Sequence, residues 1–202
     1  MYARVNFIFG TATKVGAGVA HIEKSDRDAV EAVAGNRGLT TLVDRKTGVI
    51  VAISYWDDLR LSSETALTKA REGAAQAAEG ALVTESFEVA VADRPAVPDP
   101  GATVQMTRVQ LDPVRVDSGL AFVHDELLQR LSACSGLCSA ELLIDRVIGN
   151  GLLVTTWTDQ EAAARAQALL DGLGGDVEAV AGARFPRSES YMLVWRSAPA
   201  AD

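Results

Sequence analysis

Hydrophobic and polar positions along the chain switch between strand-like and helix-like spacing. Residues 3–9 place Val5, Phe7 and Phe9 at every second position, and this period of two predicts a β-strand. The following segment spaces its apolar residues three or four positions apart, which predicts an amphipathic helix with one buried face. These positions are Val15, Val19, Ile22, Val30 and Val33.

The rest of the first half continues as two strands, a helix and a last strand. Residues 40–44 and 49–56 predict the two strands, and residues 84–91 predict the last one. Ser62 or Ser63 can cap the helix between them. The strand at 49–56 is apolar at almost every position, so we expect both of its faces to be covered.

The second half repeats the first at a nearly constant offset. A shift of 101 positions places Trp56 on Trp157 and Gly35 on Gly136, and the apolar periodicity agrees. Near the end the shift becomes 104, which a three-residue insertion in the Gly-rich stretch at 173–175 would explain. Such a run of matches is typical of a gene duplication.

Residues 94–101 separate the two copies. They contain three prolines and one glycine, a composition that favours a stiff, extended linker. The predicted domains are therefore residues 1–93 and residues 102–202.

The second copy predicts the same elements. Its first strand is expected at 104–111, and Asp117 is expected to cap the helix that follows. Asn150-Gly151 predicts a two-residue hairpin turn, since both residue types tolerate positive φ. Asp159 is expected to start the second helix, and residues 190–195 form the predicted last strand.

Each copy therefore has the order βαββαβ, which is the ferredoxin-like arrangement within the α+β class. Its four-stranded antiparallel sheet carries helices on one face and needs a cover for the other. Two fused copies could pack their sheets face to face and form a dimeric α+β barrel within one chain. The alternative, two independent domains on a linker, would expose a large apolar face on each.

Charge and composition narrow the expected partners. The formal net charge is −8, so neither nucleic acid nor an anionic membrane surface is an expected partner. No apolar run approaches the ~20 residues of a membrane span, and no signal-peptide pattern is seen, so we expect a cytoplasmic location. Cys134 and Cys138 are expected to be reduced, partly buried thiols.

Each predicted third strand ends in Trp, with Asp two residues later and a helix next: Trp56 with Asp58, and Trp157 with Asp159. Together with the element order, this junction resembles the antibiotic biosynthesis monooxygenase superfamily, whose members are dimeric α+β barrels. Its members include cofactor-independent quinol or anthrone oxygenases, haem-degrading oxygenases and proteins with no established reaction. Activity inferred from a fold alone is an analogy.

The resemblance implies a site around Asn6 and Trp56. In the haem-degrading and anthrone-oxidising branches, an Asn on the first strand and a Trp ending the third line the cavity. We expect Asn6 to hold a substrate oxygen and Trp56 to pack on its ring, with Phe7 and Trp157 as further substrate contacts. Arg108 is a candidate for a polar cavity wall.

Each of these residues also has a structural interpretation. Trp56 could be a core aromatic with a local acceptor for its N–H group, and Asn6 a polar residue with a structural partner. The second copy has Thr107 where the first has Asn6, so the first copy is the expected owner of a site.

The two histidines are the remaining candidates for chemistry. His124 is the predicted general base, with His21 as the other option, although a packing role is open for both. No second ligand stands at metal-binding spacing from either, so neither a metal nor a cofactor is expected. Haem degradation uses a His on the second helix in that branch, and neither copy has one there.

Two functions follow. The first is a cofactor-independent monooxygenase for an electron-rich aromatic or quinol. The second is a non-catalytic barrel that binds a small apolar molecule or an assembly partner. Haem binding is a third alternative. A cavity that touches both Asn6 and Trp56 would favour the enzyme. The fused chain could also form a homodimer.

Overall fold

The computed structural model describes residues 1–61, 65–182, 184–185 and 188–197, with the backbone alone for 65–66, 169, 171 and 173–181. Contacts divide the chain into two compact units. The first comprises Met1–Phe87 and the chain from Met192 onward, and the second comprises Glu88–Tyr191. This division does not test the predicted boundary at residues 94–101.

Both units combine β-strands with helices. In chain order, the elements are β1 (Tyr2–Phe9), α1 (Val15–His21), a π-helical turn (Ile22–Asp26), α2 (Arg27–Glu31), β2 (Asn36–Asp44), β3 (Val49–Trp56), α3 (Thr65–Ala77), β4 (Ala81–Asp93), β5 (Thr103–Gln110), a 3₁₀ turn (Pro113–Arg115), α4 (Val116–Phe122), a second π-helical turn (Val123–Leu127), α5 (Leu128–Ser132), β6 (Leu137–Asp145), β7 (Asn150–Trp157), α6 (Gln160–Ala181) and β8 (Ser188–Arg196).

The first unit is built on an antiparallel sheet with the order β4–β1–β3–β2–β8, to which β4 contributes its first part and β8 its last part. Asn6 pairs with Ala52, and Arg4 with Ser54. Directly opposite residues share a face of the sheet, and neighbours along a strand take opposite faces. The helices cover the face that carries Asn6, where Ile8, Ile22 and the helix α3 form one core with β2 and β3.

The opposite face of this sheet is also buried. Val5, Phe7, Val51 and Ile53 are each 2% exposed or less. The predicted burial of both faces of β3 is therefore confirmed, and its continuous apolar sequence follows from it.

The second unit has the same element order, with the sheet order β8–β5–β7–β6–β4. Its β5 and its π-helical turn lie 101 positions after their counterparts β1 and Ile22–Asp26. Trp157, Leu127 and Leu131 lie in its core, each 1% exposed or less. The predicted α+β class, with two ferredoxin-like copies, is confirmed.

Two local predictions for the second copy, a hairpin turn and a helix cap, are wrong. The β6–β7 turn comprises residues 146–149, while Asn150 and Gly151 already belong to β7. Gly149 supplies the positive φ, at 74°, and its N–H bonds the Asp145 carbonyl, so Asn150 is not needed for the turn. Asp117 does not cap a helix, because it is the second residue of α4; its carboxylate accepts a hydrogen bond from Arg146 at 2.9 Å.

The second helix of each copy differs in length and in its start. The helix α6 begins three residues after Trp157, and Asp159 Oδ1 accepts the Ala162 N–H at 2.9 Å, so the predicted helix start is confirmed. Ser62 and Ser63, the predicted cap of α3, lie outside the described residues. Among the helices described, none has both the length and the apolar composition needed to cross a membrane.

Candidate active site

A cavity lies between the sheet and the helices of the first unit. The sheet contributes Asn6, Ser54 and Trp56, and the helical side contributes Asp26 from the π-helical turn and Arg71 from α3. The rest of the lining is apolar: Ile8, Ile22, Val30, Leu39, Ala52, Leu67, Ala70 and Ala74. A mostly apolar wall with a few polar groups is the usual form of a small-molecule site.

Asn6 is buried, at 5% exposed, and both polar atoms of its amide have a protein partner. Its Oδ1 accepts a hydrogen bond from Thr84 Oγ1 at 2.9 Å. Its Nδ2 lies 3.5 Å from the Ala52 carbonyl oxygen, at the long end of the hydrogen-bond range. Since an amide nitrogen has two N–H donors, Asn6 can still donate a hydrogen bond to a bound molecule.

Trp56 offers the cavity an apolar surface. It is 1% exposed, and its Nε1–H donates to Ser54 Oγ at 2.9 Å. Because the indole N–H group is already satisfied within the strand, the ring surface is the part that can contact a ligand.

Asp26 is the buried ionisable group of the cavity. It is 7% exposed, and one carboxylate oxygen lies 3.4 Å from His21 Nε2. Burial raises the pKa of Asp26 from 3.8 to about 6, and the positive charge of a protonated His21 acts in the opposite direction. A carboxyl group with a pKa near neutral can accept or donate a proton at physiological pH.

His21 connects this carboxyl group to the surface. Its side chain is 34% exposed, and it packs against Gly73 of α3. A Cβ atom at Gly73 would lie 2.6 Å from His21 Nε2, which is closer than such atoms can approach. The glycine therefore makes room for the imidazole beside Asp26.

Arg71 gives the cavity a positive side. It lies on α3, and burial is the main cause that lowers its pKa, followed by the positive charge of Arg4. Burial also lowers the pKa of Arg4, which shares a sheet face with Asn6 two positions later. The negative charge of Glu72 acts in the opposite direction on the pKa of Arg71.

The second unit has different residues at the counterpart positions. Leu127 stands where the first unit has Asp26, and Phe122 where it has His21. Both are buried in the core of the second unit, as is Leu153, the counterpart of Ala52. Larger apolar side chains thus occupy the region that forms the cavity in the first unit.

The hydrogen bonds of Trp56 and Asn6 have counterparts in the second unit. Trp157 Nε1 donates to Thr155 Oγ1 at 2.9 Å, as Trp56 does to Ser54. Thr107 Oγ1 donates to Ser188 Oγ at 3.1 Å, at the positions that correspond to Asn6 and Thr84. The Asp26–His21 pair is consequently the polar feature that most clearly separates the two units.

Four predicted site residues do not line this cavity. Phe7 follows Asn6 in β1 and therefore takes the opposite sheet face, where its ring stacks on Phe9 at 6.3 Å between centroids. Arg108 and Trp157 belong to the second unit, where Trp157 is fully buried.

His124 also belongs to the second unit, and its side chain is 72% exposed beside Asp125. Within the described residues, no group of three or more His, Cys, Asp or Glu is placed to hold a metal ion.

Asp26 and Arg71 were missed by the sequence interpretation, although one had a visible signal. Ile22, Asp26 and Val30 are spaced by four, so the carboxylate stands within the apolar stripe of the predicted helix. A charge at such a position is expected to be buried. Arg71 gave no comparable signal.

Solved structures share this fold. A monooxygenase candidate from Lactobacillus acidophilus matches with a TM-score of 0.71 and 8% identity, covering 98% of this chain and 96% of that one. An anthrone oxidase-like protein matches with a TM-score of 0.67 and 15% identity, covering 99% of this chain and 94% of that one. A ferredoxin-fold protein from Listeria monocytogenes, related to antibiotic biosynthesis monooxygenases, matches with a TM-score of 0.53 and 11% identity. The match covers 96% of this chain and 95% of that one.

Relatives in sequence come from Mycobacterium tuberculosis. One uncharacterized protein is 29% identical over 167 residues, which is 82% of this chain and 75% of the relative. A second uncharacterized protein is 28% identical over 168 residues, which is 82% of this chain and 71% of the relative. No model of a known protein family matches the chain.

At these identities the solved structures establish the fold. The chain shares the α+β fold of these solved structures, which is the fold that the sequence resemblance implied. The chemistry of the cavity has to be argued from its own residues.

Proposed function

We propose that the first unit is a cofactor-independent monooxygenase for an electron-rich aromatic or quinol. The observation that carries the proposal is the buried carboxyl group of Asp26, with its pKa raised to about 6, in a cavity that Asn6 and Trp56 also line. A general base is most effective when its pKa is near the working pH.

In this reaction the substrate supplies all the electrons. Benzene-1,4-diol and dioxygen would give hydroxybenzoquinone and water. Asp26 takes the phenolic proton, and the quinolate passes one electron to dioxygen. The two radicals combine to form a carbon–oxygen bond to a hydroperoxide, which loses water as the ring carbon becomes a carbonyl. Atoms and electrons balance without a further reductant.

The cavity residues have separate roles in this scheme. Asn6 donates a hydrogen bond to a substrate oxygen, and the Trp56 ring holds the substrate plane. The apolar lining excludes water from the reacting carbon. His21 is a positioning residue, because it contacts Asp26 and reaches the surface, where it can pass the proton to solvent.

The test is dioxygen uptake with a panel of quinols, for the wild type and for Asp26→Asn. The amide has the same shape but cannot accept the proton, so we expect a loss of about 10²–10⁴-fold in rate. The wild-type rate should fall as the pH drops below 6. The matched control is Asp28→Asn, since the Asp28 side chain is 88% exposed. Full turnover by Asp26→Asn would refute the proposal.

A second candidate is non-catalytic binding of a small apolar molecule. It is favoured by the hydrogen bonds of Asn6 and Trp56, because both have counterparts in the second unit, which has no Asp26–His21 pair. Saturable binding of a quinol without any dioxygen uptake would support it.

Haem binding is a third candidate, with weaker support. A haem-degrading enzyme from Listeria monocytogenes has a similar fold, with a TM-score of 0.55 and 11% identity over 95% of this chain. Neither α3 nor α6 contains a histidine that could serve as the iron ligand. We expect hemin titration to show no sharp Soret shift at one equivalent.

A further inference from the structure

We infer that Thr84 is a positioning residue of the first-unit cavity, because its hydroxyl fixes the Asn6 amide with an N–H group left for a bound molecule. The inference rests on the proposed function, in which Asn6 donates a hydrogen bond to a substrate oxygen. It adds the residue that makes Asn6 a donor to the substrate and not an acceptor.

The orientation of the Asn6 amide follows from its two protein partners. The Ala52 carbonyl oxygen lies 3.5 Å from the amide and can only accept a hydrogen bond, so the amide atom that faces it must be the nitrogen. The amide oxygen therefore faces Thr84 Oγ1, which is 2.9 Å away. Since this oxygen can only accept, the Thr84 hydroxyl must donate. The directions of both hydrogen bonds are thereby fixed, and neither uses the second N–H of Asn6.

The hydrogen bond from Thr84 is the stronger of the two. Its length of 2.9 Å is ordinary for a hydroxyl donor, whereas the 3.5 Å contact with Ala52 is at the long end of the range. Donation to the amide oxygen also draws electron density from the amide nitrogen, which makes its N–H groups better donors. The Thr84 hydroxyl thus controls both the orientation of Asn6 and its strength as a donor.

The strand β4 brings Thr84 to the side of the sheet that carries the cavity. Leu82, two positions earlier, packs on the helix-side core of the first unit, and alternate residues of a strand share a face. Thr84 itself is exposed, so its side chain can be changed without opening the core. It contacts Asn6, which lines the cavity, and we therefore expect it to act on a ligand through Asn6.

The corresponding hydroxyl of the second unit has the opposite role. Ser188 stands at the Thr84 position under the shift of 104, and it accepts a hydrogen bond from Thr107 Oγ1 at 3.1 Å. Ser188 Oγ in turn donates to Gln167 Oε1 at 3.4 Å. The hydroxyl on the last strand of each copy therefore accepts from the first strand in the second unit and donates to it in the first. Donation accompanies the unit that has the amide.

The first test needs no substrate and measures the mobility of the Asn6 amide. Selective labelling of asparagine with nitrogen-15 gives side-chain NH₂ signals from Asn6, Asn36 and Asn150, and Asn6→Ala identifies the Asn6 pair. We expect Thr84→Val, which keeps the shape but removes the donor, to lower the heteronuclear NOE of this pair. Thr84→Ser should preserve it. The Asn36 pair is the internal reference, since its nitrogen and its oxygen both have protein partners.

The second test is dioxygen uptake with benzene-1,4-diol. Thr84→Val should lower kcat/KM about five- to ten-fold, the usual effect of one lost hydrogen bond, and leave the pH–rate profile unchanged. In an Asn6→Ala background the same substitution should have no further effect, because a residue that acts only through Asn6 has lost its target. The matched control is Thr13→Val, which makes the same change at an exposed turn residue and should alter neither measurement.

Three results would overturn the inference. They are an unchanged NOE of the Asn6 pair in Thr84→Val, an equal loss of NOE in Thr84→Ser, and an equal effect of Thr84→Val on turnover with and without Asn6. Thr84→Ala replaces Thr84→Val if the valine variant does not fold, with the same expected results. A wild type that consumes no dioxygen with any quinol would refute the oxygenase, and the mobility of the Asn6 amide would still decide this inference.

Discussion

Replacing Asp26 by leucine tests the electrostatic description of the cavity. Asp26 is 7% exposed, and Leu127 occupies its counterpart position in the second unit. Leucine therefore has the size and character that this fold accommodates at the position. Replacement of a buried ionisable group by a well-packed apolar residue is often stabilising.

The magnitude follows from the pKa of Asp26. A value of about 6 against an ordinary 3.8 corresponds to about 3 kcal/mol, because one pH unit is worth ~1.36 kcal/mol. The folded protein holds the proton more tightly than the unfolded chain does. The contribution to stability is therefore fully present below about pH 4 and is lost as the pH rises through 6.

The expected result concerns the difference between Asp26→Leu and the wild type in free energy of unfolding. This difference should shift in favour of the variant by roughly 2–3 kcal/mol between pH 4 and pH 8. Comparing two pH values cancels the change in packing, which is the same at both. Urea-induced unfolding, followed by circular dichroism at each pH, measures it.

Asp28→Leu is the matched control, because that side chain is 88% exposed and two positions away. Its stability should run parallel to that of the wild type over the same pH range. If the Asp26→Leu curve is also parallel to the wild type, Asp26 does not have a raised pKa. The proposed general base would then lose its physical basis.

Three other substitutions test neighbouring contacts. Gly73→Ala should strengthen the helix by up to ~1 kcal/mol by propensity alone, yet its Cβ would displace His21; we expect a net loss of stability and a changed pH–rate profile. Trp157→Phe should lower the free energy of unfolding by roughly 1–3 kcal/mol and leave dioxygen uptake intact. Loss of turnover in this variant would mean that the site lies in the second unit and not in the first. Asn6→Thr adopts the residue of the second unit, Thr107, so melting curves should change by about 1 kcal/mol or less, while dioxygen uptake should fall.

Much of the fold could be read from spacing along the chain. The period of two in β1, the apolar run of β3 and the offset of 101 positions are local or repeated patterns, and each predicts backbone conformation directly. The turn at 146–149 was mispredicted because two neighbouring glycines, Gly149 and Gly151, offered alternative positions for positive φ. Which glycine takes it depends on how β6 and β7 pair.

The placement of the site was predictable in part. Asn6 and Trp56 were expected in one cavity through the family resemblance, and strand pairing brings both to the helix-facing side. Phe7 was assigned to the same site although it is adjacent to Asn6, and a strand sends neighbouring side chains to opposite faces. That error could have been avoided from the sequence.

The sequence alone determined the elements, their repetition and the presence of Thr107 at the Asn6 position of the second copy, because these are properties of neighbouring or aligned residues. Only the tertiary structure decided that Asp26 is the buried partner of His21, that Gly73 leaves room for that imidazole, and that Arg71 faces the same cavity. These residues are 2 to 52 positions apart and lie on three helical segments. Their approach depends on how the helices pack on the sheet, and the pKa of Asp26 depends on the burial that this packing produces.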